Sequence, residues 1–195
     1  CPSRAYVDEG LTQMHRVEGE ADIVTISHDH RDHSETSVVK GAPIIIRGDG
    51  KFKAAEVDFL GVGTFHDDQR GSKRGRNTVF VMCVDGLTIA HLGDLGHVLT
   101  SDQAAEIGAV DVVLVPIGGF YTIDAAQADK VVDQVSAQIV IPMHYSNEKC
   151  SFPITGVEEF TAGKSNVTRE GTPVLEVTRE TVPAQQQIVV LEPSL

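Results

Sequence analysis

Short apolar runs bounded by Gly, Pro or Asp recur along the chain, as expected of strands buried on at least one face. They predict strands over Asp22–Ile26, Ile44–Arg47, Val57–Val62, Thr78–Val84, Leu87–Ala90, Val110–Val115, Gln138–Ile141 and Gln187–Leu191. Asp85-Gly86 between two of these runs supplies the positive φ angles of a tight hairpin. Helical spacing is rarer. Thr100-Ser101 reads as a cap for Asp102–Ile107. Asp124 caps a longer helix to Val135, with Ala125, Ala128, Val131, Val132 and Val135 as its apolar stripe, and Val157–Ala162 is a weaker third. The order is strand-rich first and then alternates strand and helix, which predicts a layered α/β (α+β) architecture. With no repeat or low-complexity linker, residues 1–195 read as one domain.

Composition narrows the function classes. The chain is 41% hydrophobic and 23% charged, ordinary for a soluble globular protein. No apolar run is long enough for a membrane span, and no signal-peptide pattern opens the sequence. A formal net charge of −12 disfavours nucleic acid and anionic membranes as partners, since no basic surplus offsets phosphate. The three cysteines, Cys1, Cys83 and Cys150, form no disulfide framework and fit a cytoplasmic location. Cys83, inside Val79–Val84, is expected to be a small buried hydrophobe.

Of the eight histidines, six fall at or near the ends of predicted strands. The densest group is His28-Asp29-His30-Arg31-Asp32-His33, directly after the apolar Ile23-Val24-Thr25-Ile26. Imidazole and carboxylate suit zinc, iron or manganese. In a loop leaving a strand, His28 and His30 can face one metal while Asp32 and His33 turn to a second, about 3.5–4 Å away. Three further candidates end strands downstream: His66 after Leu60–Phe65, Asp94 in His91-Leu92-Gly93-Asp94, and His144 after Ile139–Met143. A polar loop with fortuitous histidines does not account for all of these together.

This ordered set, His-x-His-x-Asp-His followed by a lone His, a lone Asp and a final His, resembles the signature of the metallo-β-lactamase superfamily. Within it the chain is most similar to the Zn-dependent hydrolases related to L-ascorbate-6-phosphate lactonases. The likeness rests on Phe65-His66-Asp67, Arg74-Gly75-Arg76-Asn77-Thr78, His91–His97, Pro116–Gly119 and Pro142-Met143-His144-Tyr145. The resemblance implies a four-layer αβ/βα sandwich with the metals at one edge. It places His28, His30 and His66 on one divalent ion, and Asp32, His33 and His144 on another, with Asp94 bridging. Zinc is the foremost candidate for both ions, with manganese and iron compatible. Because class B β-lactamases commonly carry cysteine or another residue at the Asp94 step, antibiotic cleavage is disfavoured. Relatives commonly open with a β-hairpin carrying Gly-His and Asp-Pro. Both are absent ahead of the metal loop, and the chain starts at Cys1-Pro2 without methionine, so an N-terminal segment is expected to be missing from this sequence.

The chemistry expected is a metal-activated hydroxide attacking a small anionic ester, lactone or phosphoester. Asp32 or Asp94 would relay the proton, and His97 would serve the leaving group. Alternatives are a nuclease or phosphodiesterase and a non-catalytic metal-binding or assembly module. Other expectations are less pointed. His91 either supports a ligand or simply packs, and His15 is exposed. Gly118-Gly119 either brings backbone close to a ligand or is turn geometry alone, while Tyr121 and Tyr145 offer hydroxyls to a cleft or to the core. Arg70, Lys73, Arg74 and Arg76 form either a solvated loop or an anion-recognising lid. The partner expected is a small-molecule substrate, with self-association left open.

Overall fold

The computed structural model describes residues 20–148, 150 and 152–193. His15 and Cys1 lie outside these residues. Two strands, β1 (Ile23–Ile26) and β2 (Ile44–Arg47), pair in parallel. Their crossover contains a single helical turn, α1 (Arg31–Ser34), and a short 3₁₀ turn over Thr36–Val38. The remaining strands form one eight-stranded mixed sheet: β3 (Gly50–Ala54), β4 (Val57–Phe65), β5 (Arg76–Val84), β6 (Leu87–His91), β7 (Val112–Pro116), β8 (Ile139–Met143), β9 (Val167–Arg169) and β10 (Gln187–Val190). Its order is β3-β4-β5-β6-β7-β8-β10-β9. The first four strands run antiparallel to their neighbours; from β6 onward the pairs are parallel.

Alternation along the strands explains the layers. Val79 and Val81 of β5, Val113 and Val115 of β7, Val140 of β8, and Ile188 and Val190 of β10 face one side. There they bury the stripes of α2 (Ser101–Ile107), α3 (Ala125–Gln134) and α4 (Val157–Thr161). Both longer helices start in reciprocal caps. Thr100 Oγ1 accepts from the Gln103 N–H while the Gln103 side chain accepts from the Thr100 N–H, and Asp124 and Gln127 repeat the pattern. On the opposite side Phe59 and Phe80 pack with Ile46 of β2, and Val112, Ile139 and Val189 pack with Leu175 and Val177. Helices, large sheet and small sheet are therefore stacked in that order.

All eight predicted strands form, and β4 and β5 extend further than expected, to Phe65 and from Arg76. Two strands had no clear sequence signal. In β3, Gly50-Lys51-Phe52-Lys53-Ala54 has too few apolar residues, and β9 is three residues long. Asp85 and Gly86 take φ of 50° and 77°, the tight hairpin their identity predicts. Cys83 corrects the expectation of burial: it is exposed. It shares the helix-facing side of β5 with Val81 but lies at the hairpin end of the strand, opposite Asp58 and Thr88.

Candidate metal centre

β4, β6 and β8 all point their carboxyl ends to the same edge of the sheet, because β4 and β6 are both antiparallel to β5 and β8 follows β6 through parallel pairing. His66, Asp94 and His144 follow those ends. The Thr78 N–H donates to Ser27 O (2.8 Å), which binds the end of β1 to the start of β5 and brings the His28–His33 loop to the same edge. This crevice outside the carboxyl ends of strands is where open α/β sheets place ligands.

The geometry converges on one atom. Asp94 Oδ2 lies 3.1 Å from His66 Nε2, 3.6 Å from His33 Nε2, and 3.7 Å from both His28 Nε2 and His144 Nε2. The ligand atoms of His28, His30 and His66 all lie within 4.8 Å of one another, as do those of His28, His33 and Asp94. His28 and His66 are buried, and His28 Nε2 has no hydrogen-bond partner. An unpartnered buried nitrogen facing a carboxylate shared by other imidazoles is costly unless a cation completes the group. The donor set of imidazole and carboxylate fits such an ion.

Electrostatics agree with that reading. Burial works to raise the Asp94 pKa, but the His66 hydrogen bond and the nearby His33, His144 and His28 hold the carboxyl well below its ordinary range. Burial pushes the His28 pKa down to about 3 against the opposing pull of Asp94, so its imidazole is neutral near pH 7. Ser27 Oγ sits 2.9 Å from His28 Nδ1 and fixes the ring's other nitrogen.

The group that positions Asp94 lies in the Arg74–Thr78 segment that carried the family likeness, but the sequence assigned it no role. Asn77 is fully buried, and its Oδ1 accepts from the Asp94 N–H at 3.0 Å. Its Nδ2 donates to Leu92 O (2.9 Å) and Thr64 Oγ1 (2.8 Å). Gly93, between Leu92 and Asp94, has φ of 55°, and a Cβ there would meet Asn77 Oδ1 at 2.5 Å. His91 Nδ1 accepts from the Gly93 N–H (3.0 Å), so this histidine supports the Asp94 loop. Burial lowers its pKa to about 4, with His33 adding to the effect and Asp94 opposing it.

Several expectations change. Asp32 and His144 join neither tight group, but His144 Nε2 reaches to 3.7 Å from Asp94 Oδ2, whereas the exposed Asp32 carboxylate stands 3.9 Å from His33 Nε2. His97 does not face the cluster. Its Nε2 accepts from the Phe65 N–H (3.2 Å) and its Nδ1 is 2.8 Å from Val98 O, so both nitrogens are used in holding backbone. Tyr145 packs on the helix-side core, with its hydroxyl donating to Leu191 O rather than facing the cleft. The Arg70–Arg76 segment is tied down at its base. Asp67 is buried and accepts the backbone N–H groups of Gln69, Gly71, Lys73 and Arg74 at 2.8–2.9 Å. Gly118 is a close approach as well as a turn, since a Cβ there would meet His144 O at 2.2 Å.

A β-lactamase superfamily domain model matches residues 3–144, which include every one of these candidate ligands. The chain belongs to the metallo-β-lactamase superfamily. A UPF0173 metal-dependent hydrolase of Pyrococcus abyssi is 30% identical over 152 residues, covering 65% of this chain and 68% of that protein. A second from Pyrococcus furiosus is 35% identical over 109 residues, 55% of this chain and 48% of its own length. The crystal structure of a protein from Thermotoga maritima, assigned to the superfamily as a Zn-dependent hydrolase, superposes with a TM-score of 0.76 at 40% identity, covering 88% of this chain and 82% of that one. The superfamily fold thus joins the geometry of the centre, and the expected family stands. No helix among the described residues is long and apolar enough to cross a membrane.

Proposed function

We propose that this chain is a metal-dependent hydrolase with two divalent ions, zinc foremost, acting on a small anionic ester, lactone or phosphoester. The observation that carries the reading is the convergence of four imidazole Nε2 atoms on Asp94 Oδ2 within 3.1–3.7 Å. His28, His30 and His66 would hold one ion. His33, His144 and Asp94 would hold the other, with Asp94 shared and Asp32 at the exposed rim. Ions so held lower the pKa of bound water and polarise a carbonyl or phosphoryl oxygen.

The chain's own groups supply order and proton traffic. Neutral His28 would turn Nε2 to the ion, with Ser27 Oγ 2.9 Å from Nδ1 on the other side of the ring. Asn77 and His91 fix the backbone that aims Asp94. Asp32, the solvent-facing carboxylate beside His33, would accept a proton and release it to water. The names of the Pyrococcus and Thermotoga relatives support hydrolysis. The net charge of −12 favours small substrates over nucleic acid, and a cytoplasmic setting fits the scattered cysteines.

Elemental analysis with a substrate panel tests the proposal. Near two equivalents of metal, with turnover of generic esters or bis-p-nitrophenyl phosphate, is the expected result. A folded protein that retains no metal at neutral pH would refute it.

A further inference from the structure

Three loops that flank the candidate ligands meet at a group of side chains the metal centre does not use. Arg74 comes from the loop after His66, and its backbone is fixed by the Asp67 carboxylate at 2.8 Å. Tyr121 lies in the loop after β7, and Phe152 in the loop after His144. The last two loops are bound together where the Thr155 N–H donates to Gly118 O (2.8 Å), and within the second of them the Ser146 N–H donates to Thr155 O (2.8 Å). The Arg74 guanidinium carbon sits 5.4 Å from the centre of the Tyr121 ring. Phe120 and Phe152 meet that ring edge-on, at centroid distances of 4.7 and 5.7 Å.

Two features of this group point to a ligand. Among the described residues the Arg74 guanidinium has no carboxylate partner, whereas Lys73 lies 4.0 Å from Asp68 and Arg76 2.5 Å from Asp49. In a chain carrying 28 acidic residues, an unneutralised guanidinium pre-oriented by a ring is ready for an anion. Phe120 is 64% exposed and holds φ at 57°, and Phe152 is 39% exposed. A bulky residue kept in the left-handed region and in water costs stability without serving the core, the pattern of strain retained for function.

We propose that Arg74, stacked on Tyr121, binds a carboxylate of the substrate remote from the bond being cleaved, while Phe120 and Phe152 hold the apolar body between that carboxylate and the metal centre. This assignment rests on the hydrolase reading above and narrows its substrate to amphipathic acids. The anion's charge is recognised by a planar fork, and the apolar link by two ring faces.

The test compares kcat/KM of the zinc-loaded protein for mono-4-nitrophenyl glutarate and 4-nitrophenyl butyrate, which differ chiefly by a terminal carboxylate. The expected preference for the glutarate ester is about tenfold or more, the worth of one charge-assisted hydrogen bond. Arg74→Ala collapses that ratio towards one, Arg74→Lys retains part of it, and Phe152→Ala raises KM for both esters. Titration of the zinc-loaded and metal-free protein with 3-phenylpropionate, followed by NMR, reads binding without turnover. Arg74-dependent binding with no hydrolysis of any ester sustains the subsite and sinks the hydrolase reading. Hydrolysis whose ester ratio and 3-phenylpropionate binding both ignore Arg74 overturns the subsite alone. A dimer in sedimentation that Phe152→Ser dissociates, with ligand binding unchanged, also overturns it, by assigning the rings to self-association.

Discussion

Removing the Asn77 side chain should damage both the fold and the metal centre, by an amount the structure sets. Asn77→Ala deletes the acceptor for the Asp94 N–H and the donor to Leu92 O, two backbone groups joined at a fully buried side chain. Thr64 Oγ1 loses the Asn77 Nδ2 donor but still donates to the Asn77 carbonyl at 3.0 Å. Each orphaned buried backbone group costs about 1–3 kcal/mol, so the two together cost about 3 kcal/mol after partial relaxation. That loss lowers Tm by about 6–12 °C in a domain of this size. The Asp94 carboxylate would also be less firmly aimed, and loss of such outer support lowers metal affinity about 10–100-fold. Urea unfolding of the metal-free protein reads the first effect, and chelator competition for zinc reads the second. Asn77→Asp separates them further, because it keeps an acceptor for Asp94 N–H while losing the donor to Leu92 O and adding a buried charge. If Asn77→Ala left stability within about 0.5 kcal/mol and zinc affinity within about twofold of the parent, the positioning argument would be wrong.

Other outcomes follow from the same geometry. His97→Ala should cost about 1–2 kcal/mol through its two lost backbone bonds. It should leave the shape of the pH–rate profile unchanged; a lost acidic or basic limb would restore His97 to proton transfer. Burial tends to raise the Asp67 pKa, but four backbone N–H groups outweigh that and hold it at about 2. A depressed carboxyl pKa stabilises above the unfolded value and loses that contribution as pH falls from about 4 towards about 2. Asp67→Asn should therefore differ most from the parent near neutrality and least near pH 2 in acid unfolding, and a constant difference across that range would contradict the bonding. Gly118→Ala should lower metal content at fixed zinc, since its Cβ would displace the His144 backbone. Unchanged content, measured by elemental analysis, would show that the loop yields without cost.

Much of this was readable in the chain because the ligands sit where two patterns change at once. Apolar strands ending in His28, His66, Asp94 and His144 gave both the element and the chemistry, and the helix caps at Thr100 and Asp124 obeyed local rules. The supporting shell was less legible. Asn77 and Asp67 stood in segments that carried the family likeness, but their tasks appear only when the strand register puts Thr64 opposite Asn77 and the loop folds four amides onto Asp67. His97 misled for the same reason: its place in the loop near the expected metals suggested chemistry, whereas its role depends on the distant backbone of Phe65. Cys83 misled because periodicity gives the face of a strand but not where the helices covering that face stop.

The central claim, that the His/Asp cluster is a dinuclear metal centre, is tested most directly by metal content of the purified protein at neutral pH, measured beside an Asp94→Ala variant. The account predicts close to two equivalents in the parent and a clear loss in the variant, with the fold retained by circular dichroism. Equal metal content in both proteins, or none in a folded parent, would contradict it.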